Sequence, residues 1–304
     1  MANEYKKFNE TKLSNFQSRY GEAIPDNDYP TNDFIENILV RRTVRSFLHK
    51  PIDPKLLEKL IACAQSSPTS SMLQPWSIIM IESVEQKAKL FQGENKHHMG
   101  TTAPYSDPTN FNAVMECAVF IIWLVDCTLM DKIFTNDTVR DLHPDLTDLR
   151  QIAYDSARHS TFEIRSISDT IIAAQTFVLC AESMGLGTMY CGSIKTMDLQ
   201  HTFNIPERAM PLFGLCVGYP SSTLDPERPI YTKPRITQNY IVHREQYQEK
   251  NFEDITLYNK LLELFYKTQN LSYDWFYRVI KRTQISRINK TYRSLIDKYG
   301  FKLK

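Results

Sequence analysis

Arg41-Arg42-Thr43-Val44-Arg45 places three guanidinium groups within five residues. Each guanidinium is a rigid fork of donors matched to phosphate oxygens, so three at the end of one helix make a phosphate clamp. On this cluster alone a solvated basic turn is the more ordinary reading. Four further stretches carry polar groups suited to holding a ligand. Ser66-Ser67-Pro68-Thr69-Ser70-Ser71 is a hydroxyl-rich loop, followed by Gln74-Pro75-Trp76. Asn95-Lys96-His97 lies in a polar loop, Tyr190-Cys191-Gly192-Ser193 runs a short apolar stretch into a glycine turn, and Lys233-Pro234-Arg235 ends a proline-rich segment. Ser70 and Ser71 read as readily as an ordinary loop or cap, and Cys191 reads more readily as a small buried residue than as a redox thiol. The sequence holds no GxGxxG, P-loop, HExxH or CxxC pattern, and no nucleophile–base–acid set stands out.

The elements that must position these residues follow from periodicity. Phe34, Ile35, Ile38 and Leu39 predict an amphipathic helix over 33–40, capped by Asn32 or Asp33, that delivers the arginines. Asp53-Pro54 opens a second helix with an apolar face at Leu56, Leu57, Leu60, Ile61 and Ala64. Ile78–Ile81 and Ala118–Val125 are continuous apolar runs of buried-strand type, with a short polar helix over 84–91 between them. Apolar residues from Ile164 to Ala181 keep helical spacing, and Gly185 stops that helix. Gly187–Cys191 and Leu212–Gly218 read as strands, 196–203 as a helix and 236–242 as a further strand. Residues 100–112 read as loop and 129–160 as a mixed, charged insertion. From 252 onward the pattern is helical, and 260–304 holds eleven Lys or Arg against three acids. Strands and helices mix without strict βαβ alternation, which predicts an α+β fold. The expected organisation is an N-terminal extension over 1–32, in which Leu13, Phe16 and Tyr20 form one apolar stripe, a ligand-binding domain over 33–243, and a helical extension over 244–304.

Composition bounds the function classes. With 304 residues, 42% of them hydrophobic, the chain can bury a sizeable core, and a net charge of +1 gives no overall field for nucleic acid or membrane. No uninterrupted apolar run reaches the roughly 20 residues of a membrane span, and the first residues lack the apolar stretch of a signal peptide. Six scattered cysteines read as reduced core thiols of a cytoplasmic protein.

In order and spacing, RRTVRSF (41–47), SPTSSMLQPWSIIMI (67–81), AESMGLGTMYCGSIK (181–195), PLFGLCVGYP (211–220) and KPR (233–235) resemble the flavin-dependent nitroreductase superfamily, most of all its nitroreductase A and NADPH–flavin oxidoreductase group. The resemblance implies a mixed, mainly antiparallel sheet wrapped by helices, in a homodimer with extended C-terminal helices and FMN at its interface. It implies that Arg41, Arg42, Thr43 and Arg45 bind the flavin phosphate and ribityl chain, with Lys233 and Arg235 adding charge. Thr69, Ser70, Ser71 and Gln74 belong to the same cofactor site, the hydroxyls coming from the partner subunit. Asn95, Lys96 and His97 face the ring or ribityl edge, and Tyr190, Cys191, Gly192 and Ser193 pass over another ring edge. Arginines answer the phosphate dianion, and a lysine or backbone N–H groups answer the ring's charge when reduced. Arg41 stands where the group usually has His, and Asn95 where it has Gln.

The activity implied is oxidation of NADPH or NADH and reduction of a nitroaromatic, quinone or flavin by ping-pong hydride transfer through flavin N5, without a catalytic side chain or a metal. Lys267 and Arg278 are the candidates for the 2′-phosphate of NADPH. Two competing readings are a flavin-binding regulator or storage protein without turnover, and a nucleic-acid binder using Arg278, Lys281, Arg282, Arg287, Lys290 and Arg293 with interleaved aromatics.

Overall fold

Residues 19, 30–91, 108–157, 160–192, 197–221, 233–268 and 271–283 are described by the structure, a computed structural model. The chain divides into two units, Thr43–Ser221 with Lys290–Lys304, and Met1–Arg42 with Ser222–Asn289. The stripe at Leu13, Phe16 and Tyr20 lies outside the described residues.

In the larger unit four strands, β1 (Trp76–Ile81), β2 (Val119–Asp126), β3 (Gly187–Cys191) and β4 (Ala209–Gly218), form a sheet of order β1-β2-β4-β3 with every neighbouring pair antiparallel. The run VFIIWLV of β2 is buried on both faces because the strand sits inside the sheet with packing above and below. One face receives helices Pro54–Gln65 and Ser160–Ser183, through Leu57, Leu60, Ala64, Ala174, Phe177, Val178 and Ala181. The opposite face gathers Phe120, Ile122, Leu124, Val114, Leu90 and Leu199. Each large apolar side chain so buried contributes about 1.5–3 kcal/mol of transfer free energy. Within the long helix, Ile164–Ser183 is apolar enough over 20 residues to span a bilayer by composition alone. Here Ala173, Ala174, Phe177, Val178 and Ala181 are spent on the sheet, while Ile164, Ile171 and Ile172 remain exposed.

Two segments differ from expectation. Helix Pro108–Glu116 occupies part of what the sequence suggests is loop over 100–112: proline starts it, and Phe111, Val114 and Met115 turn one face to the core. Residues 236–242 are not a strand. Gln238–Ile241 closes a short helical turn, with Tyr240 N–H donating to Thr237 at 3.0 Å and Val242 N–H to Gln238 at 2.8 Å, so local bonds satisfy the amides without a partner strand. The segment 129–160 is helical, as Thr128–Thr135, Asp137–Leu142 and Thr147–Ser156.

The smaller unit contains α1 (Asp33–Val40) and the pair Phe252–Lys267 and Trp275–Thr283. Asn32 caps α1 by accepting from Ile35 N–H at 2.9 Å. Its apolar residues Phe34, Ile35 and Ile38 stay exposed. Asp274 caps the last helix, accepting from Tyr277 N–H at 2.8 Å and from Asn259 Nδ2 at 3.0 Å, and these bonds hold its carboxyl below the usual carboxylate range. The aromatics that interleave the basic C-terminal stretch pack on one another: Tyr258 meets Trp275 edge-on at 4.9 Å, and Tyr266 meets Tyr273 at 5.2 Å.

The segment after Arg42 is seated on β3. Thr43 forms a parallel bridge to Thr188, and Val44 N–H donates to the Thr188 carbonyl at 2.9 Å. It continues past the end of β4, with Phe47 bridged to Pro220, Leu48 N–H donating to Tyr219 at 2.9 Å and Ser221 N–H to Ser46 at 3.1 Å. Val44 can lie flat only because position 187 has no side chain: a Cβ there would come within 2.7 Å of Val44 Cγ2 and 2.8 Å of its Cβ. Valine is stiff at χ1 and cannot swing aside. Gly187→Ala is therefore expected to destabilise the protein by about 1–3 kcal/mol, the range for overpacking a well-filled site. An unchanged thermal midpoint would show that Val44 does not rest on that glycine.

Candidate functional site

The three arginines leave the end of α1 on a backbone that is tied down twice. In the larger unit Thr43 and Val44 hold to β3, as described. In the smaller unit Arg19 organises the end of α1. Its side chain donates from Nε to the Leu39 carbonyl at 2.6 Å, from Nη2 to the Arg41 carbonyl at 2.6 Å and from Nη1 to the Lys233 carbonyl at 3.2 Å. Its own carbonyl accepts from Arg235 N–H at 2.9 Å. The backbone at Arg41 is thereby brought alongside that at Lys233 and Arg235, the two cationic stretches that the family resemblance assigns to one phosphate. Partial burial draws the Arg42 guanidinium below its ordinary pKa, the mark of a cation that has lost some water. Thr43 and Arg45 are exposed on the segment that follows.

The hydroxyl loop is strained. Ser71, Met72 and Gln74 all have positive φ (52°, 54° and 49°) although none is glycine. Such residues concentrate where surrounding contacts over-determine the backbone, often at ligand clamps. Part of what holds them is Asp169, buried on the long helix, which accepts from Ser70 N–H at 3.1 Å and from Ser70 Oγ at 3.3 Å. Thr69 Oγ1 accepts from Gln74 N–H at 3.3 Å. Ser70 thus spends its hydroxyl proton on its own chain, while Ser71 is exposed on the loop and Met72 stands 81% exposed beside it.

At the end of β3, Tyr190 is at the surface, with its hydroxyl donating to Gln175 Oε1 at 3.2 Å and its ring edge-on to Phe213 at 5.1 Å. Cys191 is buried, with Sγ 3.8 Å from Cys216 Sγ, and burial pushes the Cys216 thiol well up. Both side chains belong to the core of the larger unit. Gly192 faces open space: a Cβ built there meets nothing within 4 Å. Asn95, Lys96, His97 and Ser193 lie outside the described residues.

Of the two candidates for the nicotinamide phosphate, Lys267 is paired with Glu263, Nζ to Oε1 2.6 Å. Arg278 lies over the rings of Tyr266 and Tyr273, at 5.4 and 5.9 Å. Lys233 also approaches the Tyr266 ring, at 5.5 Å. A pocket of about 240 Å³ in the larger unit, lined by His49, Lys50, Ile52, Lys87, Glu116 and Cys117 among others, contains none of the expected site residues. Among the described residues, no three His, Cys, Asp or Glu side chains come together as metal ligands.

Sequence reasoning missed Arg19 and Asp169. Asp169 carries a signal, an acid inside a long apolar helix, which must find donors if buried. Arg19 carries none, since it stands in a polar stretch.

Within the smaller unit the paired cationic stretches suit the phosphate of a ligand such as FMN. The family model described as Nitroreductase family matches residues 38–219, and that described as Nitroreductase family, C-terminal domain, matches 233–304. The chain belongs to the nitroreductase family and is an oxidoreductase. It is 30% identical over 240 residues to the NADPH-flavin oxidoreductase of Vibrio harveyi, covering 78% of this chain and 84% of that one. Among solved structures it is similar to nitroreductase A from Vibrio parahaemolyticus, with TM-score 0.67 and 26% identity over 89% of this chain and 98% of that one. It is also similar to the NADPH:FMN oxidoreductase from Vibrio harveyi complexed with NAD+, with TM-score 0.61 and 26% identity over 83% of this chain and 91% of that one. The fold is that of the nitroreductases, an α+β arrangement of antiparallel sheet and helices.

Proposed function

We propose that the protein binds FMN and uses it to carry electrons from NADPH or NADH to a small acceptor such as a nitroaromatic, a quinone or a flavin. The observation that carries this reading is the pairing of the Arg41–Arg42 end of α1 with Lys233–Arg235, in a member of the nitroreductase family. The relatives named for NADPH, flavin and FMN support it. When bound, FMN supplies the hydride-accepting and electron-donating ring. The chain binds and orients it. Arg41, Arg42, Arg45, Lys233 and Arg235 hold the phosphate, and Thr43 the ribityl chain. Tyr190, Cys191, Gly192 and Ser193 present backbone to the ring, and Asn95, Lys96 and His97 flank it. No side chain is required as nucleophile or proton relay, so orientation and a tuned potential are the protein's contribution.

The working unit is a homodimer in which Thr69, Ser70 and Ser71 serve the flavin of the other copy, and Gln74 belongs to the same cofactor site. The exposed apolar side chains of α1 and the exposed Ile164, Ile171 and Ile172 support a second copy that covers them. The reading places the enzyme in the cytoplasm, acting on dissolved small molecules.

Anaerobic titration with NADPH tests the function. The yellow band of the purified protein should bleach and return when an acceptor is added. A band that NADPH leaves intact would support a flavin-binding regulator, and a colourless protein that takes up no FMN would overturn the flavin reading.

Three predictions follow the same reading. Replacing Arg45 by Ala should leave a folded but largely colourless protein, because a charged hydrogen bond contributes about 1.5–3 kcal/mol, or about ten- to a hundredfold in affinity. Full flavin retention on dilution would remove Arg45 from the clamp. In sedimentation or light scattering, dilution should dissociate subunits and release flavin together; a monomer that keeps tightly bound FMN contradicts the shared site. For the nicotinamide, Lys267 is already paired with Glu263 at the surface, and an exposed cation–phosphate contact is weak and screened by salt. NADH should therefore be accepted too. Steady-state rates with both donors at low and high salt measure this, and a preference for NADPH above about a hundredfold, some 2.7 kcal/mol in kcat/KM, would reveal a phosphate site elsewhere.

A further inference from the structure

The C-terminus of a helix is an unfavourable place for an anion. The last four carbonyls of α1 have no partner inside the helix, and their partial negative charge repels a phosphate. Yet this is where Arg41 and Arg42 emerge. Arg19 removes the difficulty. Arg19 is 7% exposed and its guanidinium bonds the carbonyls of Leu39 and Arg41, so positive charge sits on the negative pole of the helix. With its remaining terminal nitrogen it reaches the Lys233 carbonyl, and its main chain bonds Arg235 N–H. One residue thus neutralises the helix end and fixes the distance between the two cationic segments. All three of its nitrogens are engaged by backbone carbonyls, so it is placed to arrange the clamp rather than to touch the ligand.

We propose that Arg19 is the positioning residue of the flavin phosphate site. The inference rests on the FMN reading above and adds who assembles the clamp. Its consequence is selective. Riboflavin carries the same ring without the phosphate, so a residue that arranges only the phosphate clamp affects FMN and not riboflavin. A residue needed merely for stability affects both.

The test is fluorescence titration of the full-length apoprotein with FMN and with riboflavin, for the wild type, Arg19→Ala and Arg19→Lys. Arg19→Ala is expected to weaken FMN binding by about tenfold or more, the effect of losing charged hydrogen bonds, and to leave riboflavin within about twofold. Arg19→Lys keeps the charge but cannot span three carbonyls. It is expected to lose most of the preference for FMN as well, and it decides the matter if Arg19→Ala does not fold. A wild-type preference for FMN that survives in the variants overturns the role of Arg19 and leaves the FMN reading intact. Equal loss of both flavins, or full restoration by lysine, also overturns it, the first in favour of a merely structural role and the second in favour of a simple point charge. A wild type that does not distinguish FMN from riboflavin overturns the phosphate clamp itself.

Discussion

The close approach of Val44 to Gly187 is the contact on which the arrangement of the larger unit depends. An extended segment without a strand partner of its own must satisfy its amides somewhere. Here it does so along the start of β3 and the end of β4, and it can approach closely because position 187 lacks a Cβ. Phe47 then drops into the core, where it is 4% exposed and its N–H donates to Glu116 at 3.3 Å. Between these anchors Thr43 and Arg45 face outward. The alternation of an extended chain does the rest: with Val44 turned inward, its neighbours turn outward. A rigid mount for exposed cations is a consequence of packing.

The same logic governs the hydroxyl loop. Three non-glycine residues with positive φ are held against their intrinsic preference. The opposing contacts include Asp169, a carboxylate buried on the long helix. Its desolvation is offset by two bonds from Ser70, which anchor the loop to the sheet-covering helix. Rigidity here comes from the core reaching out to the loop.

Charge is distributed with similar economy. The basic C-terminal stretch looks in isolation like a surface for polyanions, but much of its aromatic content is spent on mutual packing and Arg278 lies over tyrosine rings. Guanidinium on an aromatic face is a packing contact as much as an electrostatic one.

Periodicity by itself determined most of the elements. Apolar runs and caps placed the helices at 33–40 and 54–65, all four strands and the long helix ended by Gly185, because burial and local hydrogen bonding act over the span that a pattern records. The arginines of RRTVR read as a phosphate clamp from residue chemistry, which needs no fold to be recognised, whereas KPR joined them only through the family resemblance. Other features belong to the tertiary structure alone. Residues 236–242 looked like a strand and became a helical turn, since a strand exists only if an edge is available to pair with it. The helix at 108–116 was hidden in a polar stretch, as its inward face shows only against Leu90 and Phe91. Arg19, 20 residues from Leu39 and 214 from Lys233 along the chain, leaves no pattern at all, because a hydrogen bond from a side chain to distant carbonyls depends on where the backbone goes and not on which residues supply it.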